Sequence, residues 1–190
     1  MEISAVEMAA LELKTVVDAL GLVVAAAAFA IGLGQYRKAQ AWKRAEWVAQ
    51  EMRELMERPL VRSALQMIDW GLRDVVLFPD AVPPAPRAVE ITSAQVERAM
   101  MPHEEHGRFS DSETAIRDAF DELFDGIERL AAHVDARLIT PGDLLPYLKY
   151  WAAGLAVNSE KNARLWAYME HYGFEGAAQL LRQVAKLRAG

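Results

Sequence analysis

Two imidazoles three residues apart with carboxylates between them, His103-Glu104-Glu105-His106, form the densest set of metal-ligating side chains in the sequence. Zinc takes imidazole nitrogen and carboxylate oxygen, so a helix that put both rings on one face would offer it a site. Pro102 and Gly107 bracket the segment, and its spacing is not the four-residue step of a zincin helix. It therefore reads as a solvated loop, with a metal site as the alternative. Bundle iron sites place a Glu three residues before a His; here that position holds Met100, His103, Leu130 or Tyr168. His133 and His171 stand alone and suit packing or capping.

Arg164 and His171 are separated by six residues. An arginine can hold a phosphate while a nearby histidine moves a proton. The spacing resembles the Arg-to-His motif of HEPN-type RNA-cleaving helical domains, which implies phosphate binding by Arg164 and proton transfer by His171. Leu165 departs from that pattern, because a polar residue often follows the arginine. Packing and capping are the preferred reading of both residues. The chain has no P-loop, no G-x-S-x-G and no G-x-G-x-x-G. No catalytic residue, metal or cofactor is expected.

Between Glu104 and Glu128 stand nine acids and two bases. Asp111, Asp118, Asp121, Glu122, Asp125 and Glu128 make an acidic flank on one helix, read first as a solvated face and next as a dock for a basic partner through Asp118, Asp121, Glu122 and Asp125. Tyr147, Tyr150, Trp151, Trp166, Tyr168 and Tyr172 are dense. Core packing between two helices explains them most simply; a nucleobase or peptide pocket built on Tyr147, Trp151 and Trp166 is the sharper alternative. Arg117, Arg129 and Arg164 would supply phosphate contacts to such a pocket only if the fold brought them near.

These residues must be positioned by helices. Pro59 suits the first turn of a helix over 60–76, with Val61, Leu65, Ile68, Leu72 and Val75 inward. The Pro-rich run 78–86 reads as a surface loop, 89–92 as a short extended piece, and Ser93 as a cap. Ser110 with Glu113 forms a capping box ahead of the longest helix of this part, and Thr140 with Asp143 forms another. Asn158 or Ser159 opens the next helix, Gly173 ends it, and a last helix starts at Phe174. The fold class is all-α: an apolar N-terminal helix, a stalk over 37–58, and a bundle of about five or six helices over 59–190.

The 190 residues average to a mean hydropathy of zero, which conceals a division. Thr15 to Tyr36 carries only Asp18 as a charge and would span about 33 Å as a helix, the thickness of a bilayer core. Acids precede it, whereas Arg37, Lys38, Lys43 and Arg44 follow, so the positive-inside rule places the N-terminus outside and the C-terminal part in the cytoplasm. Tyr36 and Trp42 fall where an interfacial aromatic belt belongs. A buried soluble helix and a signal peptide are the competing readings, the second weakened by an acidic start. Gly21, Ala25, Ala28 and Gly32 form a small-residue stripe of the kind that lets helices approach in lipid. Ile3, Val6, Ala10, Leu13 and Val17 extend it as a coiled-coil-like seam. Asp18 either snorkels to the interface or lines a ring of carboxylates in a homo-oligomer. The net charge of −6 argues against direct nucleic-acid binding, and the absence of cysteine excludes disulfides and thiol chemistry.

The segments 116–130 and 145–151, with Trp42 to Trp47 and Met67 to Trp70, resemble a set of uncharacterised bacterial single-pass membrane proteins with a cytoplasmic helical domain. The resemblance implies a topology and fold, an inner-membrane location, and a likeness to small membrane effectors of anti-phage defence. The expected function is a non-enzymatic, self-associating effector that perturbs or permeabilises the membrane when a cytoplasmic protein or nucleotide engages its helical domain. The alternative is a passive anchor or scaffold for a cytoplasmic protein.

Overall fold

The computed structural model describes residues 5–189. The first helix, α1, runs over Ala5–Glu57, and the chain divides into two compact units with the boundary between Ala45 and Glu46. In the first unit every described side chain is exposed. Its most apolar 18-residue window has a mean hydropathy of 2.1 and no buried residue. Among the described residues this is the one helix long and apolar enough to cross a membrane. A Cβ placed on Gly21 or Gly32 would meet nothing within 4 Å. Asp18, Ala25, Ala28, Tyr36, Arg37, Lys38, Trp42, Lys43 and Arg44 are all exposed. Ile3 and the side chains of Val6, Ala10 and Leu13 lie outside the described residues.

The second unit starts with the last turns of α1, which bury Val48, Met52 and Leu55. Helix α2, Pro59–Asp69, opens on its proline and buries Val61, Leu65 and Ile68. It does not continue to residue 76. Trp70 adopts extended backbone angles, and Leu72–Val76 forms strand β1, paired antiparallel with β2, Ala88–Thr92, in the register Val75↔Val89. Gly71 breaks the helix, and the adjacent branched side chains Val75 and Val76 suit a pleated strand better than a helical turn. Val75 is still directed inward, now with Ile91, as part of a hairpin that the all-α expectation lacked.

Thr92, rather than Ser93, caps helix α3, Ser93–Ala99, through a reciprocal box with Gln95. His103–His106 is not a loop but a single helical turn, α4, ended by Gly107 at φ 77°. Helix α5, Asp111–Asp135, begins at the Ser110–Glu113 box and supplies Ile116, Phe120, Leu123, Phe124 and Ile127, each 2% exposed or less. Helix α6, Pro141–Leu155, begins at the Thr140–Asp143 box. Ser159 caps α7, Glu160–His171, and Gly173, at φ 82°, turns the chain into α8, Glu175–Ala189. Helix α5 packs on α2 and α8, and α6 packs on α8. The apolar faces read along the sequence thus close one core, and that burial is the main force holding the unit together.

Candidate functional site

Around the first half of α5 the chain builds a buried cation box. Arg117 is 7% exposed, and its guanidinium lies 4.5 Å from the Phe109 ring centre, 4.8 Å from Tyr168 and 5.0 Å from Tyr172. Ring faces carry negative potential, so this is a favourable place for a partly desolvated cation. Its Nη1 donates to the carbonyl oxygens of Ala99 at 2.7 Å and Met101 at 3.0 Å, which ties the end of α3 to α5.

One turn further along α5, Asp121 accepts a 2.6 Å hydrogen bond from the Tyr168 hydroxyl. Burial pushes the Asp121 carboxyl above the usual carboxylate range, against the downward pull of that hydrogen bond and of the Arg117 charge. Burial, with the neighbouring carboxylate, raises the Tyr168 phenol as well. The Tyr172 hydroxyl is buried without a hydrogen-bond partner among the described residues. A cavity of about 430 Å³ opens here, with His103, Phe109, Thr114, Asp118, Asp121 and Tyr172 in its lining. Aromatic walls with two carboxylates suit a basic side chain or another hydrogen-bond donor. Arg117 is engaged by carbonyls and rings rather than presented as a phosphate clamp.

Two of the expected partner-binding acids, Asp118 and Asp121, thus line one cavity. Glu122 instead faces Arg58 at 3.5 Å, while Asp125 is exposed. Farther along α5, Glu128 accepts from the backbone N–H groups of Gly176 and Ala177 at the start of α8. The acidic flank is therefore part solvated face and part internal scaffolding. The aromatic candidates are dispersed. Tyr147 is exposed on α6, and Trp151 is half-buried with an edge-on contact to Tyr150. Trp166 donates its indole N–H to Leu155 O at 3.1 Å and lies under the Arg182 guanidinium.

Arg164 and His171 do fall on one side of α7, and each meets an acid from α4. Arg164 Nη1 is 3.7 Å from Glu105 Oε2, and His171 Nε2 is 3.9 Å from Glu104 Oε2. The carboxylates occupy the place where a phosphate would need positive potential. Arg129 lies elsewhere, lining a groove with Trp47 and His133.

His106 approaches Glu113 at 3.5 Å. Glu113 also accepts from the Ser110 backbone and hydroxyl and from Arg98 at 3.1 Å, and these donors hold its pKa down at about 2. The capping box was readable from Ser110 and Glu113; the recruitment of Arg98 and His106 carries no sequence signal, because α3 and α4 meet α5 only in the fold. Among the described residues, no group of three or more His, Asp and Glu side chains could hold a metal ion. No family model, curated protein or solved structure matches the chain.

Proposed function

We propose that this chain is a single-pass, self-associating protein of a bacterial inner membrane, with its N-terminus outside and its helical domain in the cytoplasm. Its function is that of a membrane effector, in which engagement of the helical domain by a protein or nucleotide controls association of the apolar helices and perturbation of the bilayer. The observation that carries the reading is the complete exposure of the apolar window in α1, with Leu22 at 73% and Phe29 at 74%. So long an exposed apolar stretch is costly in water and is covered at no such cost by lipid or by copies of itself. Basic residues just after it and the open Gly21/Ala25/Ala28/Gly32 stripe support the topology and the self-association.

The chain's lack of cysteine makes the topology testable. Single cysteines at Glu7 and Lys149 should behave oppositely: Glu7→Cys labelled by an impermeant maleimide in intact cells, Lys149→Cys only after permeabilisation. Recovery of the protein in the alkaline-soluble fraction would overturn the membrane reading. Expression should depolarise the membrane, and Gly21→Leu with Gly32→Leu should abolish depolarisation and reduce oligomer size in detergent. A membrane-bound protein that never depolarises its host would be an anchor rather than an effector.

A further inference from the structure

The cavity beside Arg117 has both signs of charge in its wall. Thr114, Arg117, Asp118 and Asp121 all line it and follow one another at helical spacing along a single face of α5. Phe109, Tyr172 and Phe174 supply its apolar wall.

Arg117 is fixed in place without being saturated. Phe109, Tyr168 and Tyr172 surround its guanidinium, and the carbonyls of Ala99 and Met101 occupy Nη1 alone. Nε and Nη2 have no acceptor among the described residues, and neither is closed off from solvent as the Tyr172 hydroxyl is. Those two nitrogens form an edge that can receive a carboxylate through two parallel hydrogen bonds. A guanidinium already ordered by rings and carbonyls loses little further freedom on receiving one.

The acids are open in the same way. Asp121 accepts from the Tyr168 hydroxyl through Oδ1, which leaves Oδ2 without a donor among the described residues and, again, not sealed from solvent. Asp118 is exposed in the cavity wall and has no hydrogen bond or ion pair among the described residues. Burial and the Asp118 charge both raise the Asp121 carboxyl, and a cationic group beside the pair would offset both.

We propose that this cavity binds a free α-amino acid with an apolar or aromatic side chain. Its carboxylate would meet Nε and Nη2 of Arg117, its ammonium Asp118 and Asp121, and its side chain the rings of Phe109, Tyr172 and Phe174. Residues three or four apart on a helix stand about 5–6 Å apart at Cβ, so one molecule with both charges on a single carbon reaches both signs. An anion alone would meet two carboxylates, and a cation alone would meet Arg117. The volume of about 430 Å³ lies within the range of small-molecule pockets, which run from about 300 to 1,000 Å³. The inference concerns the helical domain alone and stands or falls separately from the membrane reading.

Calorimetric titration of the detergent-solubilised full chain with L-phenylalanine, L-methionine and L-leucine tests it. At least one should bind with a Kd at or below about 1 mM. The amide of that amino acid keeps only the positive charge, and its N-acetyl derivative only the negative one. Each should bind about tenfold more weakly or worse, having lost one set of charge-assisted hydrogen bonds. Two near-isosteric variants locate the ammonium. Asp118 is exposed, so Asp118→Asn spares the core, and Asp121→Asn can still accept from Tyr168. Each should weaken the amino acid about tenfold and leave the N-acetyl derivative unchanged or bound more tightly. Failure of all three amino acids to bind at millimolar concentration would overturn the proposal. An amide or N-acetyl derivative that binds as tightly as its parent would overturn it too, as would wild-type affinity in both variants.

Discussion

The carboxylate of Glu128 accepts a 2.6 Å hydrogen bond from the backbone N–H of Ala177, so an acid on α5 does for α8 what an N-cap side chain does for most helices. It also accepts from Gly176 N at 3.2 Å. An anion at a helix start is favoured by the helix dipole, and its hydrogen bonds are charge-assisted.

Glu128→Gln should therefore lower stability by about 1–2 kcal/mol, since the charge is lost and the amide oxygen can accept from only one of the two N–H groups. The check is the urea midpoint of the solubilised chain, followed by near-ultraviolet dichroism. A midpoint equal to wild type would show that α8 is held by apolar packing alone.

Gly126 and Leu55 make the second prediction. A Cβ on Gly126 would run into Leu55 Cδ1, and Leu55 is itself 4% exposed and packed. Gly126→Ala gains about 1 kcal/mol of helix propensity, whereas overpacking costs about 1–3 kcal/mol. Steric cost should prevail, giving net destabilisation. In a double-mutant cycle the penalty should shrink or change sign once Leu55→Ala has made room. Equal effects of Gly126→Ala in both backgrounds would refute the contact.

Glu113 sets the acid limb of stability. Its folded pKa of about 2 lies below the ordinary 4.5, so its contribution is complete above about pH 4.5 and is lost as pH falls toward 2. At most about 3 kcal/mol rides on this group. Asp121 acts with the opposite sign: its raised pKa favours the folded state most at low pH, a contribution lost as pH rises through the folded value. Glu113→Gln should flatten the fall in unfolding midpoint between about pH 5 and pH 2 and lower stability at neutrality. If the acid limb keeps its slope in that variant, other carboxylates set it.

Tyr168→Phe removes the donor to Asp121 without altering ring packing against Phe124 and Phe174. The half-buried carboxylate then loses its hydrogen bond, at a cost of about 1–3 kcal/mol. The loss should shrink at acid pH, where Asp121 is protonated. A pH-independent loss would mean that Asp121 is met by solvent.

Much of the fold was legible because helix starts are local events. Ser110 with Glu113, Thr140 with Asp143, and Pro59 each announce a terminus within four residues, and all three appear where the residues indicate. The hairpin is only half legible for the same reason: 89–92 reads as extended and forms β2, whereas Leu72–Val76 reads as helix. The apolar spacing through Val75 satisfies a helix as well as a strand, and only pairing with Val89 decides between them. The site was less readable still. Asp118, Asp121, Glu122 and Asp125 look alike on a helical wheel, yet Tyr168 takes one and Arg58 another from far along the chain. Lys161 and Asn162 follow an ordinary Ser159 cap, and nothing local reveals that Lys161 reaches back to Met67 and Ile68.

The placement of α8 also sets a timetable for biosynthesis. Helices α5 and α6 both pack on α8, which is synthesised after either of them. Translation proceeds at about 5–20 residues per second, so seconds separate emergence of the apolar stretch of α1 from completion of the core. During that interval the apolar faces of α5 and α6 await the helix that covers them. Under the proposed membrane topology, insertion of α1 would begin before the helical domain closes.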